Sequence, residues 1–581
     1  MEKQEGELPE PVCDTSPENR STQPLPERIL QKLADVSRRL AGFASGKAYW
    51  LLFSLTFFLR NLYYFRYHPV MDDWFLYHSI LSDTWNNYVV EGGKLSIRPL
   101  AGLLDLYVVS PLASNLTLVF IVLLVMLLVS AYLFSKTLES NGVHAGAVFL
   151  ITLVLFPLGM EATYWMSAAT RIVTTVFFLA VSLYALDRWA KGGGKRFVVL
   201  YLLSNLCSFG FYEIGFPLSI ICPILIGIAN WKTLRQKWVL FMPVLFGALL
   251  AFYYSLSQDA GEIALRGNLI GSFSLQHIKY VIDNLFPAFW NVNITMHYRS
   301  FLTGINTLLN DRSIIFVLLA VAASAGFGYK VVRCSDKPFD KELTGVKPVN
   351  PYKALVLGFI VFFAGISMHF LIDWARISLR VIFMSFIGLG IMLQAIADMI
   401  FRGKTGRIIY GAIVSLTIVL FTVVSVGELS DYRYTSMTDV SIARQMIESE
   451  NGEKVYTRGH LTLLFVKDTA YINTDTTYYE HIVGAVSNYS MISRCIGFIV
   501  GTNDMNNVVP VVNGQTRDFP YIGDEREVYI AFGVEFPDQV VELSIDNDGE
   551  DYRLLKRDGS VFGVLIGSGD NDKLFTFQLH A

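Results

Sequence analysis

Two adjacent carboxylates, Asp72 and Asp73, stand in the aromatic stretch His68-Pro-Val-Met-Asp72-Asp73-Trp74-Phe-Leu-Tyr77-His78, just beyond the first long apolar run of the chain. A carboxylate held beside a hydroxyl can take its proton and turn it into a nucleophile. The pair is poorly arranged for the other common carboxylate chemistry, in which an acid and a base flank one glycosidic bond from separate positions. A single base that activates a hydroxyl is the better match. Asp also caps helices, and Asp72 ahead of a helix starting at Trp74 suits that role. The cap does not exclude chemistry at its neighbour, since adjacent side chains point in different directions.

Other ionisable groups gather at the ends of later apolar runs. The loop that holds the pair closes with Leu95-Ser-Ile-Arg98-Pro99-Leu100, where Pro99 can start a helix and Arg98 can return toward the carboxylates. Glu161 and Arg171 bracket Tyr164-Trp165, and Tyr212-Glu213 sits in a tight turn between two short apolar runs. Charges so placed need a partner or a wet cavity, whereas the aromatics beside them also suit an interfacial belt. The connection from about Ser257 to Arg312 carries His277, Lys279, His297 and Arg299 among apolar residues. That mixture suits a segment meeting a lipid tail and a phosphate together, or a solvated loop with an amphipathic helix. Finally, His369, Asp373, Arg376 and Arg380 cluster where two runs that are otherwise almost uncharged meet. Arg376 and Arg380 share one face of a helix and can clamp an anionic oxygen pair, the alternative being arginines that snorkel to the interface.

The elements that must position these groups are membrane helices. Of 581 residues, 53% are hydrophobic and 17% charged, with a mean hydropathy of +0.43, too apolar for a soluble single-core domain. A formal net charge of -3 supplies no basic field for nucleic acid. Crossing the hydrocarbon takes about 17–25 apolar residues. Eleven runs approach this, near 48–66, 113–135, 143–160, 170–187, 197–211, 214–230, 238–257, 313–331, 354–372, 381–400 and 408–427. Lys and Arg concentrate in alternate loops (188–196, 232–237, 330–353 and 402–407), which places those loops in the cytoplasm and the acidic pair outside. Residues 1–46 then read as a cytoplasmic tail with an amphipathic helix, 47–427 as the transmembrane domain, and 428–581 as an extracytoplasmic α+β domain rich in strands. In that last domain a helix is expected at Asp439–Glu448, strands near 455–456, 461–466, 498–500, 528–532, 540–545, 562–565 and 574–579, and turns at Asp548-Gly549 and Asp558-Gly559.

Several constellations are missing. There is no HExxH, no Walker phosphate loop and no GxSxG, and the five cysteines show no paired spacing. Asp546-Asn-Asp548-Gly549 lacks the terminal Glu of a calcium loop and reads as a β-turn.

Taken together, the arrangement resembles the GT-C class of membrane glycosyltransferases, and within it the bacterial serotype-converting O-antigen glucosyltransferases. The shared features are Asp72-Asp73-Trp74 in the first outer loop, Ile97-Arg98-Pro99-Leu100 at its end, and Tyr212-Glu213 at the outer end of a short span. The resemblance covers about residues 48–425; the domain after Glu428 departs from compact members. It implies an inverting transfer of a hexose, glucose-like, from a polyprenyl-phosphate carrier to a cell-surface glycan or glycolipid. The enzyme would lie in the bacterial inner membrane, its partners being the lipid-linked donor, the acceptor and membrane lipids. Asp72 or Asp73 would be the base and Arg98, Lys279, Arg299, Arg376 and Arg380 candidate cations for the departing phosphate. No cofactor is required, although Mg2+ or Mn2+ bridging carboxylate and phosphate is compatible with this chemistry. A polysaccharide polymerase shares topology and chemistry. A flippase for lipid-linked sugars is the other alternative, and would need polar groups across the whole bilayer, which the runs 354–372, 381–397 and 408–426 do not offer.

Overall fold

The computed structural model describes residues 48–74, 76, 98–234, 236–257, 274–291, 295, 297–334, 347–370, 378–457, 460–466, 482, 484–487, 489–502, 507–518, 528–533, 539–548, 551–567 and 574–580. The expected amphipathic helix of the tail, most of the helix expected from Trp74 and the pair Asp373 and Arg376 lie outside them. The chain divides at Leu51/Leu52 into two units; apart from residues 48–51, everything below concerns the unit from Leu52 onward.

Helices stand at all eleven apolar runs. With α2, α9 and α10 lying between those runs, the helices in chain order are α1 (48–61), α2 (Pro99–Leu104), α3 (Leu116–Ser140), α4 (Ala147–Val154), α5 (Met166–Ala190), α6 (Arg196–Phe211), α7 (Phe216–Ala229), α8 (Met242–Ser257), α9 (Leu275–Asn291), α10 (His297–Asn310), α11 (Ile314–Cys334), α12 (Pro351–Ile366), α13 (Phe386–Ile400) and α14 (Gly403–Glu448). Six helical segments among the described residues are long and apolar enough to cross a membrane. The chain is therefore read as a helical membrane protein with a β-rich carboxy-terminal region. Pro99 opens α2 and Pro351 opens α12, whose Asn350 side chain caps the Tyr352 N–H at 2.9 Å.

The bundle pairs α3 with α5, α5 with α6, α12 with α13, α4 with α13, and α14 with both α10 and α11. The α10–α14 contact depends on glycine. A Cβ at Gly304 would lie 2.0 Å from the Val423 carbonyl oxygen, and one at Gly427 would lie 1.9 Å from that of Ser300. Two backbones can approach this closely only where no side chain intervenes.

The helix expected at Asp439–Glu448 is present but is not a separate element. Instead of a span followed by a separate helix at Asp439–Glu448, α14 runs unbroken for 46 residues into the carboxy-terminal domain. There, α15 (Tyr489–Val500) packs on α14 and on a mixed sheet. Its strands are β1 (His460–Phe465), β2 (Asn507–Val511), β3 (Thr516–Asp518), β4 (Val528–Gly533), β5 (Val541–Asp548), β6 (Asp551–Lys556), β7 (Val561–Gly567) and β8 (Leu574–Leu579), in the order β2-β1-β4-β5-β6-β7-β8-β3. β2, β1 and β4 are parallel and the rest antiparallel. Parallel neighbours need a crossover, and α15 supplies it between β1 and β2. Alternate residues, including Leu461, Leu463, Val509, Val511, Phe575 and Phe577, point into one core. Two expected strands prove otherwise: 455–456 ends a 3-10 turn, and 498–500 ends α15. In the latter the buried Met491, Ile492, Cys495 and Ile496 follow a helical repeat. The Asp558-Gly559 turn is present, with Gly559 at φ +81°.

Candidate functional site

The two carboxylates have different surroundings. Asp73 is fully buried. Its Oδ2 accepts from the Val70 N–H at 3.1 Å and from the Tyr67 hydroxyl, and its Oδ1 accepts from the Ser167 N–H at 2.9 Å. The Val70 contact is local, closing the turn from Val70 to Asp73. The Ser167 contact belongs to another element. Tyr67 also accepts from the Met166 N–H at 2.7 Å, so Tyr67 and Asp73 together satisfy the first two amides of α5 from a neighbouring loop. A carboxylate there also faces the positive end of the helix dipole. The helix capped by a side chain of the pair is therefore α5, and the capping residue is Asp73; Asp72 stands just ahead of the helix that begins at Asp73 without making the expected side-chain cap.

Burial pushes the Asp73 carboxyl up to about 7, against the pull of its three donors and with a small push from Asp72. The Tyr67 hydroxyl is held well above its usual range by burial, with Asp73 adding to the shift. Asp72 itself is half-buried and makes no hydrogen bond or ion pair with a described residue. Met71, immediately before it, sits in the left-handed region at φ 49°, a conformation that costs a side-chain-bearing residue about 1–2 kcal/mol.

A second cluster gathers cations. Arg98 does not return to the acidic pair but forks onto Glu213, Nε to Oε2 at 2.7 Å and Nη2 to Oε1, with its guanidinium 4.5 Å over the Tyr212 ring. Arg171 pairs with the buried Asp105 at 2.9 Å. Arg380 lies 4.6 Å over the ring of Trp165. Burial raises the Tyr212 hydroxyl, while Arg98, Arg380 and Arg171 all pull it the other way, so their fields converge on one side chain. Adjacent aromatics join the two clusters: Trp165 carries Arg380, and Tyr164 stacks on Tyr67 at 5.0 Å and meets Tyr432 at 4.5 Å.

Glu161 and His297 line a narrow crevice with Glu428, whose carboxylate bonds the Ser300 hydroxyl. Trp74 is buried and donates from Nε1 to Asp439 Oδ2 at 3.2 Å, while Asp439 Oδ1 accepts from the Ala485 N–H at 2.7 Å. One carboxylate thus ties the first loop to the carboxy-terminal domain. The remaining candidates are not drawn into these clusters. Arg299 reaches Asp431 at 3.7 Å, His369 is buried on a 3-10 turn, and His277 and Lys279 lie on α9, the histidine half-buried and the lysine exposed.

Sequence reasoning missed Arg60, Asp105, Glu428 and Asp439. Arg60 is buried in α1 and bonds Ser425 Oγ at 2.8 Å and the carbonyls of Val154 and Phe156 at 3.0 and 3.3 Å. The available signal was a charge inside an apolar run, which is costly unless built into the structure. Among the described residues no three His, Cys, Asp or Glu side chains gather as metal ligands. Comparison with known proteins brings no match: no family model, no curated protein and no solved structure aligns with the chain.

Proposed function

We propose that the chain is a membrane glycosyltransferase of GT-C-like architecture with eleven spans, moving a hexose from a polyprenyl-phosphate carrier to a glycan or glycolipid on the outer face of the membrane. The observation that carries this reading is the division of labour within the acidic pair: Asp73 is fixed by three donors while Asp72 is presented without a described partner. Asp72 is the base and Asp73 a positioning residue.

In the proposed step Asp72 takes the proton of the acceptor hydroxyl. The acceptor oxygen forms its bond to the anomeric carbon as the bond from that carbon to the phosphate oxygen breaks, inverting the centre. The electron pair leaves with the polyprenyl phosphate, whose added negative charge is met by the arginine cluster of Arg98, Arg171 and Arg380. Arg98 and Arg171 each keep a carboxylate partner, so they are held in place before the phosphate arrives.

The test supplies the protein, in its own membranes, with polyprenyl-phosphate glucose labelled in the sugar. The expected outcome is release of polyprenyl phosphate and a labelled product of opposite anomeric configuration. Intact donor after prolonged incubation, or donor carried across the bilayer unchanged, contradicts the proposal and favours the flippase.

A further inference from the structure

A cleft of about 1300 Å3 opens beside the acidic pair, between the first loop, the start of α3, the extension of α14 and Phe498 of α15. It is larger than the roughly 300–1,000 Å3 typical of small-molecule sites. Three guanidiniums line it: Arg66, Arg433 and Arg444. Arg433 lies 4.7 Å over the Tyr64 ring, and none of the three forms an ion pair with a described residue. Glu448 is the one carboxylate among the described lining residues. This differs from the other arginine cluster, where Arg98 and Arg171 are matched to Glu213 and Asp105. The excess positive field is felt by His68, which also lines the cleft: burial first, then Arg66 and Arg433, hold its imidazole down to about 4, leaving it neutral near pH 7.

Beyond the cations, the walls mix rings and short polar groups with the apolar side chains of Leu116, Met437 and Val440, which are interrupted by the polar ones. Tyr64, Trp74 and Phe498 supply the rings, and Ser436, Ser441 and Gln445 line the cleft from successive turns of α14. Such a surface suits a hydrophilic chain better than an acyl tail, which needs continuous apolar walls. Trp74, the next residue after Asp73 in sequence, lines the cleft, while the two carboxylates themselves do not.

We propose that this cleft binds an anionic oligosaccharide, the acceptor of the transfer, whose carboxylate or phosphate groups are held by Arg66, Arg433 and Arg444. The inference rests on the glycosyltransferase reading for the word acceptor; the binding itself does not depend on it. It also gives the carboxy-terminal domain a task, since α14 and α15 form one wall.

The probe is a fluorescent heparin hexasaccharide titrated into the full-length protein in nanodiscs of neutral lipid, with maltohexaose as the uncharged comparison. The expected result is binding that weakens as salt rises, at least about tenfold tighter than for maltohexaose, and weakened about tenfold by the double substitution Arg433→Ala/Arg444→Ala. Arg402→Ala, at the opposite end of α14, should leave it unchanged. Equal affinity for both sugars, or indifference to the double substitution, overturns the proposal. Displacement of the probe by phosphatidylglycerol vesicles but not by maltohexaose-length anionic sugars also overturns it, assigning the arginines to lipid headgroups. Asp72→Asn should bind the probe as the wild type does. Binding without any transfer in the wild type would remove the enzymatic reading and keep the cleft; transfer without binding would do the reverse.

Discussion

At the scale of single residues, the structure turns an ambiguous pair into two unlike groups. Asp73 is a structural acceptor whose removal exposes the amides it serves. Asp73→Asn keeps one acceptor oxygen but loses the charge facing α5, and should cost about 1–2 kcal/mol, read as a lowered thermal midpoint. Tyr67→Phe deletes both the donor to Asp73 and the acceptor for Met166, and should cost about 1–3 kcal/mol by leaving buried polar groups unpaired. His68 makes a prediction in pH. Its folded pKa lies below that of the free side chain, so its contribution is present above about 6.5 and is lost as the pH falls toward about 4. Asp73, raised to about 7, acts in the opposite sense over the same range, so the readout is the stability difference between the wild type and His68→Gln, which should shift against the wild type as the pH falls from about 6.5 toward about 4. An unchanged difference would show that the imidazole is not held neutral by Arg66, Arg433 and burial. The presence of the carboxylates was legible from residue type alone. Which of them caps could not be, because the decisive donor, Ser167, is 94 residues away in sequence.

Elements show where local patterning speaks and where it stops. All eleven apolar runs are helical because length and hydropathy act locally. The continuity of α14 was also legible, since no glycine or proline interrupts 428–451; the first charges after Gly427 look like the end of a span and mark only the end of its apolar part. Strands β2, β3 and β6 were not anticipated, being short or charged and held by neighbours in the sheet. The α10–α14 crossing provides a direct test. Gly427→Leu must push the helices apart and should cost several kcal/mol, whereas Ala412→Leu, elsewhere on α14 and partly exposed, should cost little. Equal effects would mean the close approach is absent. Asp439→Ala should leave Trp74 Nε1 and the Ala485 N–H without their acceptor. Amide exchange near 484–500 should rise by the equivalent of about 1–3 kcal/mol while that of α3 and α5 stays constant. Matching change in the bundle would show that the carboxylate is not a local tie.

For the whole molecule, the account joins a helical membrane bundle, an acidic pair fixed at one end of it, and a folded domain reached by an unbroken helix. The orientation proposed from charge placement in the loops predicts that a cysteine replacing Asp558 reacts with an impermeant thiol reagent from outside the cell only. Reaction from the cytoplasm would reverse the proposed orientation. The arginine cluster illustrates what only the folded chain reveals: Arg98, Arg171 and Arg380 were each visible as charges at span ends, but residues so far apart in sequence act together on Tyr212 only once the chain is folded. The most direct measurement compares sugar transfer from polyprenyl-phosphate glucose by Asp72→Asn and Asp73→Asn, with thermal midpoints recorded for both. The account predicts that Asp72→Asn loses about 10²–10⁴-fold in turnover at an unchanged midpoint, while Asp73→Asn lowers the midpoint first. Transfer by Asp72→Asn within a few-fold of the wild type would contradict it.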